Sequence, residues 1–149
     1  MNNSKHSNVL IIGGGCAGIS VASRLHSLKS DLNISIIEPS DKSLYQAAWT
    51  LVGAGAYDKD KTIKSMSEVM PSYVNWIKSH AESFSPESNT VKTSDGDCTY
   101  DYLVVCPGLK LNFDGVAGLK ESLGKNNVCT NYDADTVSYT HLTLPTRST

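Results

Sequence analysis

The stretch that decides the fold of this chain is Val9-Leu10-Ile11-Ile12-Gly13-Gly14-Gly15-Cys16-Ala17-Gly18. It opens with a continuous aliphatic run, which is typical of a strand buried on both faces of a parallel sheet. It ends in the pattern G-x-G-x-x-G, after which apolar residues recur at helical spacing, at Ile19, Val21, Ala22, Leu25 and Leu28. The sequence therefore predicts a strand over residues 8–12, a glycine turn and a helix over residues 16–28.

A second short strand, residues 33–38, follows this helix and ends in an acidic residue. Residues 8–38 thus predict one β-α-β unit with a right-handed crossover. Glu38 lies 20 residues after Gly18, where a carboxylate can accept hydrogen bonds from the hydroxyls of an adenosine ribose and can repel a 2′-phosphate. The arrangement favours a dinucleotide-binding unit over the alternative of an accidental glycine loop.

The three glycines of the pattern have separate predicted roles. Gly13 permits the tight turn off the strand, Gly15 lets the backbone approach a pyrophosphate, and Gly18 lets the helix pack close to the strand. The N-terminus of the helix would then offer unpaired N–H groups and the positive end of its dipole to the phosphates. The glycine turn alone does not choose between FAD and NAD.

Past Glu38 the sequence predicts further strands and one short helix. The pattern Ser65-x-x-Glu68 predicts a capping box for a helix that Pro71 ends, and residues 73–78 are typical of a strand. Residues 81–99 alternate around two turn signals, which predicts an antiparallel meander laid over the sheet. Residues 102–106 predict another buried strand, which Pro107 and Gly108 end.

Composition bounds the classes of function. A length of 149 residues fits one ordinary domain, expected over residues 1–137. A net charge of -2 without a dense Lys/Arg run predicts no nucleic-acid partner. The four cysteines form no Cys-x-x-Cys pair and no metal-ligand spacing, which predicts free thiols and no metal site. The polar residues 1–8 predict no signal or transit peptide, and no apolar run is long enough to span a membrane.

The choice between the two cofactors depends on the run Tyr100-Asp101-Tyr102-Leu103-Val104-Val105-Cys106-Pro107-Gly108. It resembles the second flavin motif of flavoproteins with two dinucleotide-binding domains, although Cys106-Pro107-Gly108 replaces the usual Ala-Thr-Gly. Pro107 removes one N–H donor. The alternative is a buried strand that ends in an ordinary Pro-Gly turn. The expected fold class is α/β, an incomplete Rossmann-like FAD-binding domain with a parallel sheet and an antiparallel β-meander.

A family resemblance becomes specific between the two motifs. The segment Tyr45-Gln46-Ala47-Ala48-Trp49-Thr50-Leu51-Val52-Gly53-Ala54-Gly55 resembles the Tyr-Gln-Pro-x-Trp-Thr-Leu-Val-Gly-Ala-Gly segment of sulfide:quinone oxidoreductases. Ala47 departs from that pattern, which often carries proline. The likeness covers about residues 8–137, and it includes Glu38-Pro39-Ser40, Val74-Asn75-Trp76-Ile77-Lys78 and the stretch from Gly124 to Asn131-Tyr132. A type II NADH dehydrogenase should lack this segment, and it remains an alternative together with a non-catalytic nucleotide-binding module.

The resemblance implies FAD as the cofactor, with sulfide and a membrane quinone as substrates of the full-length protein. It implies that the segment at Tyr45 to Gly55 passes the flavin and that this chain is a fragment without the catalytic cysteines, inactive alone. Peripheral contact with the cytoplasmic membrane of a prokaryote is expected through a C-terminal region that this chain lacks; the oligomeric state stays open. The expected cofactor-binding residues are Gly13, Gly14, Gly15, Ala17, Gly18, Glu38, Pro39, Ala81, Pro107 and Gly108.

Two further features have open interpretations. Cys129 invites a redox role, because the family uses cysteine thiols to accept sulfur; the alternative is a small buried residue. Residues 138–149 leave the family pattern, and their Thr/Ser-rich composition predicts a disordered or non-native tail.

Overall fold

The computed structural model of the protein describes residues 5–125 and 127–140. The chain divides into two compact units. Unit 1 comprises Met1–Ser43 and Ser65–Gly108, and unit 2 comprises Leu44–Lys64 and Leu109–Thr149. Unit 1 contains the glycine turn, Glu38 and the flavin-like motif that ends at Gly108, whereas unit 2 contains the segment from Tyr45 to Gly55. The expected domain limits, residues 1–137, stay a prediction.

The regular elements follow one another in short pieces. In chain order they are β1 (Lys5–Ile12), α1 (Cys16–Leu28), β2 (Ile34–Ile37), β3 (Lys42–Leu44), α2 (Trp49–Gly53), β4 (Ile63–Ser65), α3 (Met66–Val69), β5 (Val74–Ile77), β6 (Ala81–Ser85), β7 (Thr90–Thr93), β8 (Gly96–Val105) and α4 (Leu119–Ser122). The bounds of α1 are those that the spacing of apolar residues predicts. The capping box at Ser65 and Glu68 is present at the start of α3.

Unit 1 is built on a six-stranded sheet in the order β5-β2-β1-β8-β7-β6. The strands β5, β2, β1 and β8 are parallel to one another. β7 pairs antiparallel with β8 on one side and with β6 on the other. The register between β1 and β2 runs from Val9 opposite Ile34 to Ile12 opposite Ile37. The β-α-β unit, the parallel sheet and the meander are therefore confirmed, and the architecture is Rossmann-like.

Two apolar clusters lie on the two faces of the parallel strands of this sheet. On one face α1 packs against the strands, in a cluster made of Val9, Ile11, Ala22, Ile34, Ile36 and Val74. On the other face the meander contributes to a second cluster, made of Leu10, Ile12, Ile37, Ile77, Val91, Cys98 and Tyr100. Burial of each aliphatic side chain contributes roughly 1.5–3 kcal/mol. Val91 of β7 shares this cluster with residues of β1, β2 and β5, and the meander strands continue the same sheet beyond β8.

The strand predicted at residues 102–106 differs from the observed one in two ways. It is the second half of β8, a single strand that also forms the last strand of the meander. The expectation of burial is wrong, because Tyr102 is 70% exposed and Val105 is 55% exposed. An apolar run indicates which side chains can be buried, but it does not say which neighbouring element covers them.

Unit 2 has its own small apolar cluster of Trp49, Val52 and Val137. The Trp49 indole N–H donates to Thr62 Oγ1 at 3.2 Å. Val137 is followed by a hydrogen-bonded turn, in which the Tyr139 N–H donates to the Thr136 carbonyl at 3.0 Å. The tail predicted at residues 138–149 lies, from residue 141 onward, outside the described residues. Among the described residues, no helix has the length and apolar character required to span a membrane.

Candidate nucleotide-binding site

In the turn between β1 and α1, two glycines, Gly13 and Gly18, lie so close to neighbouring backbone that a side chain has no room. Gly13 has φ +101°, a conformation that other residues rarely adopt, and a Cβ there would collide with the carbonyl oxygen of Cys106. A Cβ on Gly18 would collide with the carbonyl oxygen of Gly13. The Gly13 N–H donates to the Ile37 carbonyl at 2.9 Å, which ties the turn to the end of β2. The turn is therefore held by the two neighbouring strands.

Gly15 differs from these two glycines. Its φ of -75° and ψ of -171° are extended values that any residue can adopt. A Cβ at Gly15 would meet no other atom within 4 Å. Neither the backbone conformation nor the packing of the described residues therefore requires a glycine here. The bare backbone instead faces open space beside the first turn of α1, where helical N–H groups have no partner within the helix.

Glu38 lies directly beside the glycine turn. Its Oε2 accepts a hydrogen bond from the Gly14 N–H at 2.8 Å, and its Oε1 accepts one from the Ser40 N–H at 2.8 Å. A Cβ on Gly14 would lie 2.8 Å from Cβ and Cγ of Glu38, so only a glycine allows this approach. Each carboxylate oxygen has two acceptor positions, which leaves capacity for hydroxyl donors of a ligand.

A cavity of about 310 Å³ opens at the carboxyl ends of the parallel strands, where ligands bind in sheets of this kind. Its volume is at the lower end of the roughly 300–1,000 Å³ of ligand pockets. It is lined by Ile12, Gly13, Ile37, Glu38, Pro39, His80, Ala81 and Pro107. Five of the ten residues expected to bind the cofactor thus share one cavity, and all of its lining residues belong to unit 1.

The other five expected residues lie around the glycine turn and after β8. Gly14 is hydrogen-bonded to Glu38, Gly15 and Ala17 are exposed, and Gly18 is buried. Gly108 follows Pro107 with φ +76°, and a Cβ there would meet no atom within 4 Å. The sequence patterns did not identify His80, an exposed residue in the cavity lining, because a lone histidine in a loop carries no spacing signal.

The chemistry of this arrangement is that of binding. The turn and the start of α1 can offer N–H donors to an anion, and Glu38 can offer acceptor positions to hydroxyl groups. All four cysteines are free. Burial raises the pKa of the Cys98 thiol, which lies on β8 in the second apolar cluster. Cys129 is exposed, so its interpretation as a small buried residue is wrong.

A second cavity, of about 350 Å³, lies in unit 2. It is lined by Gln46, Ala47, Thr50, Asn131 and Tyr132. The cavity brings together two of the segments that carry the family resemblance, and Asn131 has a buried Oδ1 without a hydrogen-bond partner among the described residues. Among residues 5–125 and 127–140, no group of three His, Cys, Asp or Glu side chains is placed to hold a metal ion.

Comparisons with known proteins show relatives of this chain and solved structures with the same fold. The mitochondrial sulfide:quinone oxidoreductase of Dictyostelium discoideum is 46% identical over 134 residues, which are 89% of this chain and 30% of that protein. The X-ray structure of the sulfide:quinone oxidoreductase from the bacterium Aquifex aeolicus matches with a TM-score of 0.73 and 31% identity, over 95% of this chain and 32% of that chain. The chain thus spans about a third of the length of these relatives.

The structure of NDH2 from Plasmodium falciparum also matches, with a TM-score of 0.62, over 91% of this chain and 28% of that chain. Its identity of 14% shows a shared fold alone. Since the relatives include a mitochondrial protein as well as a bacterial one, the expected prokaryotic location finds no support in them. The model of the pyridine nucleotide-disulphide oxidoreductase family matches residues 7–141 of this chain. The chain belongs to that family, the pyridine nucleotide-disulphide oxidoreductases.

Proposed function

We propose that unit 1 binds the ADP half of FAD. The observation that carries this proposal is Gly15, a glycine that neither its backbone angles nor its neighbours require. A glycine in such a position is explained by a ligand that must touch the backbone, and its place at the start of α1 suits a pyrophosphate. The residues present therefore fit the diphosphate and ribose of this cofactor.

Each part of the site has a proposed task toward FAD. The N–H groups after Gly15 would hold the diphosphate, and free acceptor positions on Glu38 would hold the ribose hydroxyls. Pro39 and Ala81 line the cavity and would pack against the adenine, with Pro107 at its edge. Gly108 would leave the backbone bare where the strand β8 meets the cofactor. When bound, FAD supplies the capacity to accept an electron pair from one substrate and to pass it to another.

For the full-length protein we propose the oxidation of sulfide, with transfer of electrons through FAD to a membrane quinone. Support comes from the names of the relatives and from the segment Tyr45 to Gly55, which resembles their sequence. Peripheral contact with a membrane is part of this proposal, because quinones are dissolved in the lipid. This chain spans about 30% of the Dictyostelium relative, so the proposed reaction needs residues beyond it.

Absorption spectra test the proposal. A longer chain with the downstream coding sequence should be purified with a flavin spectrum, and sulfide should bleach it in the absence of oxygen. Bleaching by NADH but not by sulfide would support a type II NADH dehydrogenase instead. Binding of ADP as tight as that of FAD, with no flavin retained, would favour a non-catalytic nucleotide-binding module.

A further inference from the structure

Trp76 is anchored to the residue that carries the proposed ribose ligand. It lies in β5, opposite Ile36 of β2, and it is half-buried. Its indole N–H donates to the main-chain carbonyl oxygen of Glu38 at 2.8 Å. The Glu38 N–H in turn donates to the Ile77 carbonyl at 3.0 Å. The main chain of Glu38 is therefore bound to β5 on both of its polar groups, once by backbone and once by the Trp76 side chain.

The residue that these bonds hold, Glu38, is itself hydrogen-bonded to the glycine turn through its carboxylate. The carbonyl that Trp76 holds belongs to the peptide bond between Glu38 and Pro39, and the proline restricts the backbone of Glu38 further. With its main chain fixed, Glu38 directs Oε2 to the Gly14 N–H and Oε1 to the Ser40 N–H. The Trp76 indole is thus bonded to the residue whose carboxylate contacts the turn, although Trp76 is not among the residues that line the cavity.

We infer that Trp76 is a positioning residue of the nucleotide site: its indole N–H fixes the Glu38 main chain, so that the carboxylate supports the glycine turn and meets the ribose. This inference rests on the proposed function, which supplies the nucleotide as ligand. The hydrogen bond of Trp76 to Glu38 supports the turn whether or not a nucleotide is bound. Trp76 itself needs no contact with the nucleotide. A role in packing alone would predict a different outcome, because loosened packing should weaken all nucleotides alike.

The test compares ADP with 2′-deoxy-ADP, which lacks one ribose hydroxyl. The unmodified chain should bind ADP more tightly than 2′-deoxy-ADP in titration calorimetry. In Trp76→Phe, which keeps an aromatic ring and loses the N–H donor, the Kd for ADP should rise roughly three- to tenfold, as for loss of one hydrogen bond. The Kd for 2′-deoxy-ADP should rise less, so that the ratio between the two ligands approaches one. An unchanged ratio in Trp76→Phe overturns the inference.

A matched control is Tyr73→Phe. Tyr73 immediately precedes β5, and its hydroxyl donates to Ser23 Oγ at 3.1 Å, so the change also removes one side-chain donor beside the same strand. This variant should keep the affinity and the ratio of the unmodified chain. A narrowed ratio in Tyr73→Phe would show that any lost donor near β5 has the same effect, and it would overturn the specific role of Trp76.

Amide hydrogen exchange separates this inference from the proposed function. In the ligand-free Trp76→Phe variant the Gly14 amide should exchange several-fold faster than in the unmodified chain. If the unmodified chain binds neither nucleotide, the proposed function fails, and Gly14 exchange still decides whether Trp76 holds the turn. Should Trp76→Phe not fold, the unmodified chain decides: a Trp76 indole N–H that exchanges as fast as free indole overturns the inference, and a protected one supports it.

Discussion

Gly13 and Gly15 stand two positions apart, and the folded chain requires a glycine only at the first of them. Gly13 has a positive φ and abuts the carbonyl of Cys106, so its requirement comes from within the protein. Gly15 has ordinary extended angles and open space around it, and the proposed function assigns its requirement to the bound ligand. This difference can be measured, because stability and ligand affinity report on separate requirements.

We predict that alanine at Gly15 lowers the affinity for ADP, whereas alanine at Gly13 lowers the stability of the fold. Gly15→Ala should change the free energy of unfolding by less than about 1 kcal/mol, because its backbone angles suit alanine. It should nevertheless weaken ADP binding, and Gly15→Asp should abolish flavin retention, because a carboxylate would face the pyrophosphate. Gly13→Ala should lower the free energy of unfolding by roughly 1–3 kcal/mol or more through backbone strain and collision. Urea unfolding measures the free energies of unfolding, and titration calorimetry measures the affinities for ADP. The absorption spectrum shows whether flavin is retained. Normal affinity in both Gly15 variants would contradict the role assigned to Gly15.

At the level of single residues, the sequence predicts which residues lie at the site, but it does not predict the hydrogen bonds among them. The spacing from Gly18 to Glu38 identifies the acidic residue, because both positions follow from the length of a β-α-β unit. The hydrogen bond from Gly14 to Glu38 is not predictable in this way, since it depends on the rotamer of the glutamate. The bond from Trp76 to the Glu38 carbonyl depends on strand register, which a single sequence does not specify.

At the level of elements, predictions succeed where two independent signals coincide. The glycine turn and the helical spacing together give α1 its correct bounds, although Leu28 in its last turn is 67% exposed. Strand β8 is harder, because its ten residues combine an alternating first half with an aliphatic second half. That composition resembles two strands, whereas the hydrogen bonds to β7 and to β1 make it one.

The short helix α3 offers a test of its capping box. The Ser65 N–H donates to Glu68 Oε2 at 3.0 Å, which satisfies a backbone donor at the start of the helix. We expect Glu68→Ala to lower the free energy of unfolding by about 0.5–1 kcal/mol, measured by urea denaturation. Glu68→Gln keeps an acceptor oxygen and should retain most of the stability. Equal stability of Glu68→Ala and the unmodified chain would show that water replaces the carboxylate without cost.

At the level of the whole molecule, the buried thiol of Cys98 makes stability depend on pH. Burial raises its pKa above the ordinary value of 9.0, so the folded chain binds this proton more tightly than the unfolded chain. The corresponding stability is fully present below about pH 9 and is lost as the pH rises through the higher pKa of the folded form. Between pH 7.5 and pH 10, the unmodified chain should therefore lose more stability than Cys98→Ala.

Urea unfolding at several pH values tests this difference, since other titrating groups contribute equally to both proteins. Cys129→Ala serves as the control, because Cys129 is exposed and its loss should leave the pH dependence of the unmodified chain unchanged. Parallel pH profiles for Cys98→Ala and the unmodified chain would contradict the prediction.

The double attachment of the Glu38 carboxylate has a consequence for protein engineering. A designer who wished this scaffold to accept a phosphorylated ribose would replace the acid with a basic or small side chain. That exchange would also remove the acceptor for the Gly14 and Ser40 amides. Redesign of the cofactor preference would therefore have to rebuild the support of the turn at the same time, and a single substitution should yield a weaker binder for every nucleotide.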